Sequence, residues 1–172
     1  MPCETPRRDR YKMKSKFTSR TRWREKLEKP QEPKIVKVPP KMSRFGNGMM
    51  LIPTPRLIDD LIRTVPKGKL VTAGELRRKL AKDFGTDVTC PLTTGIFVRI
   101  TAEAAEEDRA NGKKRITAYW RVVKDDGRLN PKFPGGVGQQ SKYLRAEGFK
   151  VMRDGRKAPV VYDFQARLHT LN

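Results

Sequence analysis

Side chains able to do covalent or metal chemistry are scarce in this sequence. It holds one His, His169, and two Cys, Cys3 and Cys90. Cys90 precedes Pro91 at an expected helix start, where the helix dipole lowers a thiol pKa. No His or other evident base lies near it in sequence, so it reads as a small buried residue rather than a nucleophile. Cys3 sits in a basic stretch and reads as incidental. His169 stands three residues from the C-terminus, a poor place for a catalytic triad. One imidazole and two thiols supply neither a Cys/His metal cluster nor a disulfide framework, so no metal and no cofactor are expected. The abundant chemistry is cationic: 39 Lys+Arg stand against 19 Asp+Glu, a net charge of +20. Such a surplus points to a polyanion, and nucleic acid is the expected partner.

The charge is unevenly spread over 172 residues. Residues 1–50 hold 15 basic and 5 acidic side chains, and residues 51–172 hold 24 and 14, so each part carries a net +10. The first 30 residues are nearly free of aliphatic side chains and read as a disordered basic arm. Arg7, Arg8, Arg10, Arg20, Arg22 and Arg24 are its candidate phosphate contacts, with Tyr11, Phe17 and Trp23 interleaved for stacking. A merely solubilising tail is the plainer alternative. Pro30, Pro33, Pro39 and Pro40 mark an extended linker. No apolar run reaches the ~20 residues of a membrane span, and no signal peptide is evident. The expectation is an intracellular, monomeric protein, cytoplasmic or nucleoid-associated if bacterial.

The positioning elements begin near residue 51. Thr54-Pro55 is a helix start, followed by Leu57, Ile58, Leu61, Ile62 and Val65 at helical spacing. Thr72 and Glu75 have the spacing of a capping box and open a helix with Arg77, Arg78 and Lys82 on its outer side. A longer helix is expected over residues 91–109, closed by Asn111-Gly112. Its Glu103, Glu106, Glu107 and Asp108 read as a solvated acidic face. Residues 116–124 read as a strand, Asp125-Asp126-Gly127 as a hairpin turn, residues 139–147 as a last helix, and the chain around Asp154-Gly155 as a terminal hairpin. Two helices joined by a short Gly-containing turn form a helix-turn-helix. The expected fold is therefore α+β, a winged-helix-like DNA-binding domain with helix-turn-helix and β-wing, behind a disordered basic N-terminal arm. The expected divisions are residues 1–50 (arm and linker), 51–150 (domain) and 151–172 (C-terminal hairpin and tail).

Five short segments in one order carry a resemblance. They are Val65-Pro66-Lys67-Gly68-Lys69-Leu70-Val71-Thr72, Tyr119-Trp120-Arg121-Val122-Val123, Asp126-Gly127, Pro134-Gly135-Gly136 and Leu144-Arg145-Ala146-Glu147-Gly148. Over residues 53–150 the chain resembles the DNA-binding domain of the alkylguanine-DNA alkyltransferases. The resemblance implies a helix-turn-helix in the minor groove and a pocket for an extruded guanine. It also implies an acceptor cysteine in a Pro-Cys-His-Arg-Val motif. Here Tyr119 stands for that cysteine and Trp120 for the following histidine. Arg121 and Glu147 match the family, and Asn111 matches its structural Asn. The base-flipping tyrosine falls at Ala73, and the arginine finger at Gly95, with Arg99 one turn on.

A phenol of ordinary pKa ~10 is a far poorer alkyl acceptor than a thiolate. The sequence is thus similar in logic to the alkyltransferase-like proteins, which bind alkylated guanine without repairing it and pass it to excision-repair proteins. Tyr119, Trp120, Arg121, Gly135, Gly136, Glu147 and Asn111 make up the former acceptor motif and candidate base pocket. Thr93, Thr94, Gly95, Arg99, Arg77, Arg78 and Lys82 are the candidate duplex contacts. Tyr119 and Trp120 can equally be plain core residues. The expected function is non-catalytic binding of duplex DNA in preference to RNA. The alternative is a basic RNA-associated protein, for instance ribosome-associated, that reuses the winged helix.

Overall fold

The computed structural model describes residues 21–172. Arg7, Arg8, Arg10 and Arg20 therefore lie outside the described residues. In chain order the elements begin with α1 (Trp23–Glu28), β1 (Lys34–Lys37), a 3-10 turn (Pro40–Phe45) and β2 (Met49–Ile52). Next come α2 (Pro55–Arg63), β3 (Val71–Thr72), α3 (Ala73–Asp83), β4 (Val88–Thr89) and α4 (Pro91–Ala110). A 3-10 turn (Tyr119–Arg121), β5 (Val122–Val123), α5 (Gly136–Ala146), β6 (Val151–Asp154), β7 (Lys157–Val161) and a 3-10 turn (Phe164–Arg167) complete the chain. The class is α+β, with helices supplying most of the core.

Local chemistry explains where the helices start. Thr54 accepts a hydrogen bond from the Leu57 N–H at 3.3 Å, and Pro55 takes the first helical position, where its missing N–H costs nothing. Thr72 and Glu75 exchange reciprocal bonds of 3.1 and 2.9 Å, so the capping box of α3 is complete. Asp125 adds a carboxylate to that helix start, accepting from the Gly74 N–H at 2.7 Å. A Cβ at position 74 would stand 2.6 Å from the same carboxylate oxygen, so a larger residue there would push the exposed Asp125 side chain aside and disturb this bond. Ile58, Ile62, Leu76, Leu80, Val98, Ala102, Ala105 and Tyr119 meet in one core. A second cluster, around Leu70, Val123, Leu129, Leu144 and Val161, joins α5 to the terminal hairpin.

Three small sheets tie distant segments together. β1 runs antiparallel to β2, and β2 runs parallel to β4, so the chain before residue 51 is paired directly to the turn between α3 and α4. β3 and β5 pair in parallel, with Val71 opposite Val122 and Thr72 opposite Val123. β6 and β7 form the terminal antiparallel hairpin.

Two expectations are corrected. Residues 22–50, read from composition as arm and linker, are built into the fold. Leu27 of α1 is buried, and Met42 and Met50 form a small cluster with Cys90. Few aliphatic residues sufficed because α4 and β4 supply the other half of each contact. The strand read over residues 116–124 shrinks to Val122 and Val123, which pair with β3 rather than through a hairpin at residue 127. Thr117 is bonded to the buried Asp59 at 2.6 Å, and Tyr119 turns fully inward. The β-branched and aromatic residues there answer burial, not a ladder. The expected hairpin turn does close at Gly127, whose N–H donates to the Lys124 carbonyl at 2.8 Å, and the Lys124 N–H donates across it to the Arg128 carbonyl at 2.9 Å. The strand-like bonds beyond it go to β7, from the Leu129 N–H to Pro159 and from the Val161 N–H to Gly127.

Candidate nucleic-acid interface

The start of α4 stands clear of the core. Leu92 and Ile96 are 59% and 56% exposed and lie one turn apart, on the same face. Gly95 beside them is exposed, and a Cβ there would meet nothing within 4 Å. Arg77 and Arg78 of α3 line, with Pro91, a hollow of about 190 Å³ that Phe45 also borders. Arg78 and Lys82 are exposed, whereas Arg77 leans to Asp125 at 3.4 Å. Of the expected duplex contacts, Thr94 is corrected. It is 1% exposed and its hydroxyl bonds the Cys90 carbonyl at 2.7 Å, so it braces the helix start from within. Thr93 is half-buried and makes the same kind of bond at 3.3 Å. Arg99 pairs along the helix with Glu103 at 3.6 Å. Cys90 is buried. Composition had singled out the cations of this face and missed Leu92, Ile96 and Phe45, whose exposure depends on which side of each element the core takes.

Residues 119–121, expected as the former acceptor motif, lie in a closed network. Tyr119 has no exposed surface, and its ring meets Phe133, Tyr143 and Trp120 edge-on at centroid distances of 5.3, 6.3 and 5.5 Å. Its hydroxyl donates to Glu106 at 2.8 Å, and that of Tyr143 donates to the same oxygen at 2.8 Å. Burial, reinforced by Glu106, pushes the Tyr119 phenol far up, and the same causes push Tyr143 up to about 12. The Trp120 indole N–H donates to Glu147 at 2.9 Å. Arg121 meets both oxygens of that carboxylate at 3.0 and 3.1 Å through Nε, and one of them at 2.8 Å through Nη2. Burial raises the Glu147 carboxyl, but the bonds from Arg121, Trp120 and the Gly68 N–H outweigh it and hold it below the usual range. Gln140, fully buried, was not foreseen. Its amide donates to the carbonyls of Trp120 and Val122, and its oxygen accepts from the Asn130 N–H.

The structure thus brings Tyr119, Trp120, Arg121 and Glu147 together. Gly135 and Gly136, with φ of +73° and +66°, follow Phe133 and turn the chain into α5. Asn111 is the exposed C-cap of α4, and its backbone N–H bonds Glu107.

The acidic cluster on α4 is corrected as well. Asp108 is 3% exposed and pairs with Arg24 at 3.3 Å and Lys113 at 2.9 Å. Glu107 accepts from the Arg24 N–H at 2.7 Å, and Glu106 serves the two tyrosines. These carboxylates hold α1 and the motif in place instead of facing water. Arg24, expected as an arm contact, is committed to Asp108 and Glu28, while Arg22 is exposed at the start of α1. Among the described residues, no group of three or more His, Cys, Asp or Glu could hold a metal ion. No helix among them is long and apolar enough to cross a membrane.

No protein-family model matches the chain, and no curated protein matches it. Solved structures similar to it include two from S. pombe. One is S. pombe Atl1 in complex with damaged DNA containing O6-carboxymethylguanine, at 16% identity and a TM-score of 0.47. The other is S. pombe ATL in complex with DNA, at 16% identity and a TM-score of 0.49. Each similarity covers 67% of this chain and 93% of the other.

Proposed function

We propose that this protein is a non-catalytic binder of duplex DNA of the alkyltransferase-like type, docking through α3 and the start of α4. The observation that carries the reading is the exposed start of α4, where Leu92, Gly95 and Ile96 are turned outward and Pro91 lines one hollow with Arg77 and Arg78 of α3. Cations on one helix suit the phosphates, the helix start adds its N–H groups and dipole, and small apolar side chains enter a groove and wedge at a base step. The non-catalytic part is supported by Tyr119: a neutral, fully buried phenol is no nucleophile toward a ligand in the groove.

Recognition of an alkylated guanine is the finer part of the proposal. It requires the Tyr119 site to open. The observation favouring it is the adjacent pair Gly135 and Gly136, both left-handed, directly after the Phe133–Pro134 segment that covers Tyr119. A titration series at one salt concentration tests both parts, using plain duplex, duplex carrying O6-methylguanine, and structured RNA. Duplex bound more tightly than RNA, with affinity falling steeply as salt rises, is expected. Clear preference for RNA overturns the duplex reading. Equal affinity for plain and alkylated duplex removes the lesion part alone. Label transferred from an alkylated duplex to the protein overturns the non-catalytic part.

A further inference from the structure

A further hollow lies at the other end of α4. It measures about 370 Å³ and is walled by Arg63, Arg109, Lys113, Lys114, Arg115 and Arg121, with Ile62, Ile116 and Trp120 as its apolar part. No Asp or Glu lines it. The acids that serve its cations sit behind them in the fold. Asp59 bonds Arg63 at 2.8 Å, Asp108 bonds Lys113 at 2.9 Å and Glu147 bonds Arg121 at 2.8 Å. Asp59 and Asp108 are buried, and the Glu147 side chain nearly so. They orient the cations without occupying the hollow. Arg109 is held over the Tyr143 ring, 4.5 Å from its centroid. Lys114 and Arg115 are exposed and have no ion pair among the described residues. Trp120 is fixed by its bond to Glu147, so one aromatic wall is set in place before any ligand arrives.

Oriented guanidinium and ammonium groups around an open space suit a phosphate, and Arg in particular matches its oxygens in pairs. A rigid, partly exposed indole with the partly exposed Ile116 in the same hollow suits a planar base. We infer that this cleft binds a nucleotide, with the phosphate among the cations and the base against Trp120. Leu92 and Arg109 are 17 residues apart on α4, about 25 Å at 1.5 Å per residue. The cleft therefore stands apart from the open start of α4, while sharing Trp120 and Arg121 with the candidate base pocket. The same chemistry is offered by a free mononucleotide and by the phosphorylated end of a strand.

The test is calorimetric titration of the full chain with GMP, guanosine, inorganic phosphate and a 5′-phosphorylated trinucleotide. GMP is expected to bind, and guanosine to bind at least roughly tenfold more weakly, the loss of one strong phosphate contact. Lys114→Ala/Arg115→Ala should weaken GMP by a similar factor and leave duplex affinity within about twofold. Lys34→Ala/Lys37→Ala, which removes the same charge from exposed positions on β1, should leave GMP binding unchanged. A trinucleotide tighter than GMP assigns the cleft to strand ends, and a weaker one to free nucleotides. Guanosine binding as well as GMP overturns the phosphate contact, and phosphate binding as well as GMP overturns the base contact. Equal loss in both double variants, or no loss in the first, overturns the site. Because duplex affinity is read separately, failure here is distinct from failure of the duplex proposal.

Discussion

The two ends of α4 have opposite characters although they belong to one helix. At its start, Leu92 and Ile96 face outward and Gly95 leaves a gap. At its end, Glu106, Glu107 and Asp108 are each engaged by α1, by Lys113 or by the tyrosines of the motif. Apolar residues outside and carboxylates inside invert the usual distribution. The inversion separates the parts: the clamped end holds the fold, and the open end is left exposed.

Substitutions that cut the clamp, or the Glu147 network packed beside it, give the largest expected effects. Glu147→Ala leaves the mostly buried Arg121 guanidinium and the Trp120 N–H without their acceptor. A loss of about 3–5 kcal/mol in urea unfolding is expected, as for a broken buried pair. Glu106→Ala strands the Tyr119 and Tyr143 hydroxyls and should cost about 1–3 kcal/mol for the buried one. Adding Tyr119→Phe in that background should restore part of the loss; no restoration would show that the hydroxyl was not what Glu106 served.

Titration sharpens the same contrast. Tyr119 and Tyr143 have folded values above the ordinary 10.0, so their stabilisation is complete below pH 10 and is lost as pH rises through the folded values. Glu147 is lowered, so its contribution is present above pH 4.5 and fades as pH falls through its folded value. Melting temperature against pH should therefore show a plateau bounded on both sides. In Glu147→Gln, which carries no titrating carboxyl, the acid-side fall should shrink.

The smallest stability effect belongs to the open end. Leu92→Ser/Ile96→Ser should change unfolding free energy by no more than about 0.5 kcal/mol, while duplex affinity falls roughly tenfold, as for a lost apolar contact. A stability loss of several kcal/mol would break the comparison, because the pair would then be covered by the protein itself.

Chemistry local to a helix end was legible in the sequence. Thr54-Pro55, the Thr72/Glu75 box, Pro91 and Asn111-Gly112 each bound a helix within a residue or two of where it lies. Arg121 beside Glu147 was legible from the resemblance. What depended on a distant partner was not. The six residues of α1 bury one Leu and have no helical stripe of their own; α4 decides that they are ordered. Carboxylates on a helix look solvated until the cation opposite, here Arg24, is known. Val122 and Val123 carry no mark of their partner strand.

The pairing of Val71 with Val122 also bears on how the chain reaches this state. Two residues on each side must close a loop of about 50 residues that contains α3 and α4 whole. Contacts so far apart in sequence slow folding, since the loop entropy is lost before the contacts repay it. Helices with strong local starts can form early, whereas this short parallel pair depends wholly on the long-range closure. A disturbance at Val122 should thus appear first as slower refolding of the whole helix-turn-helix.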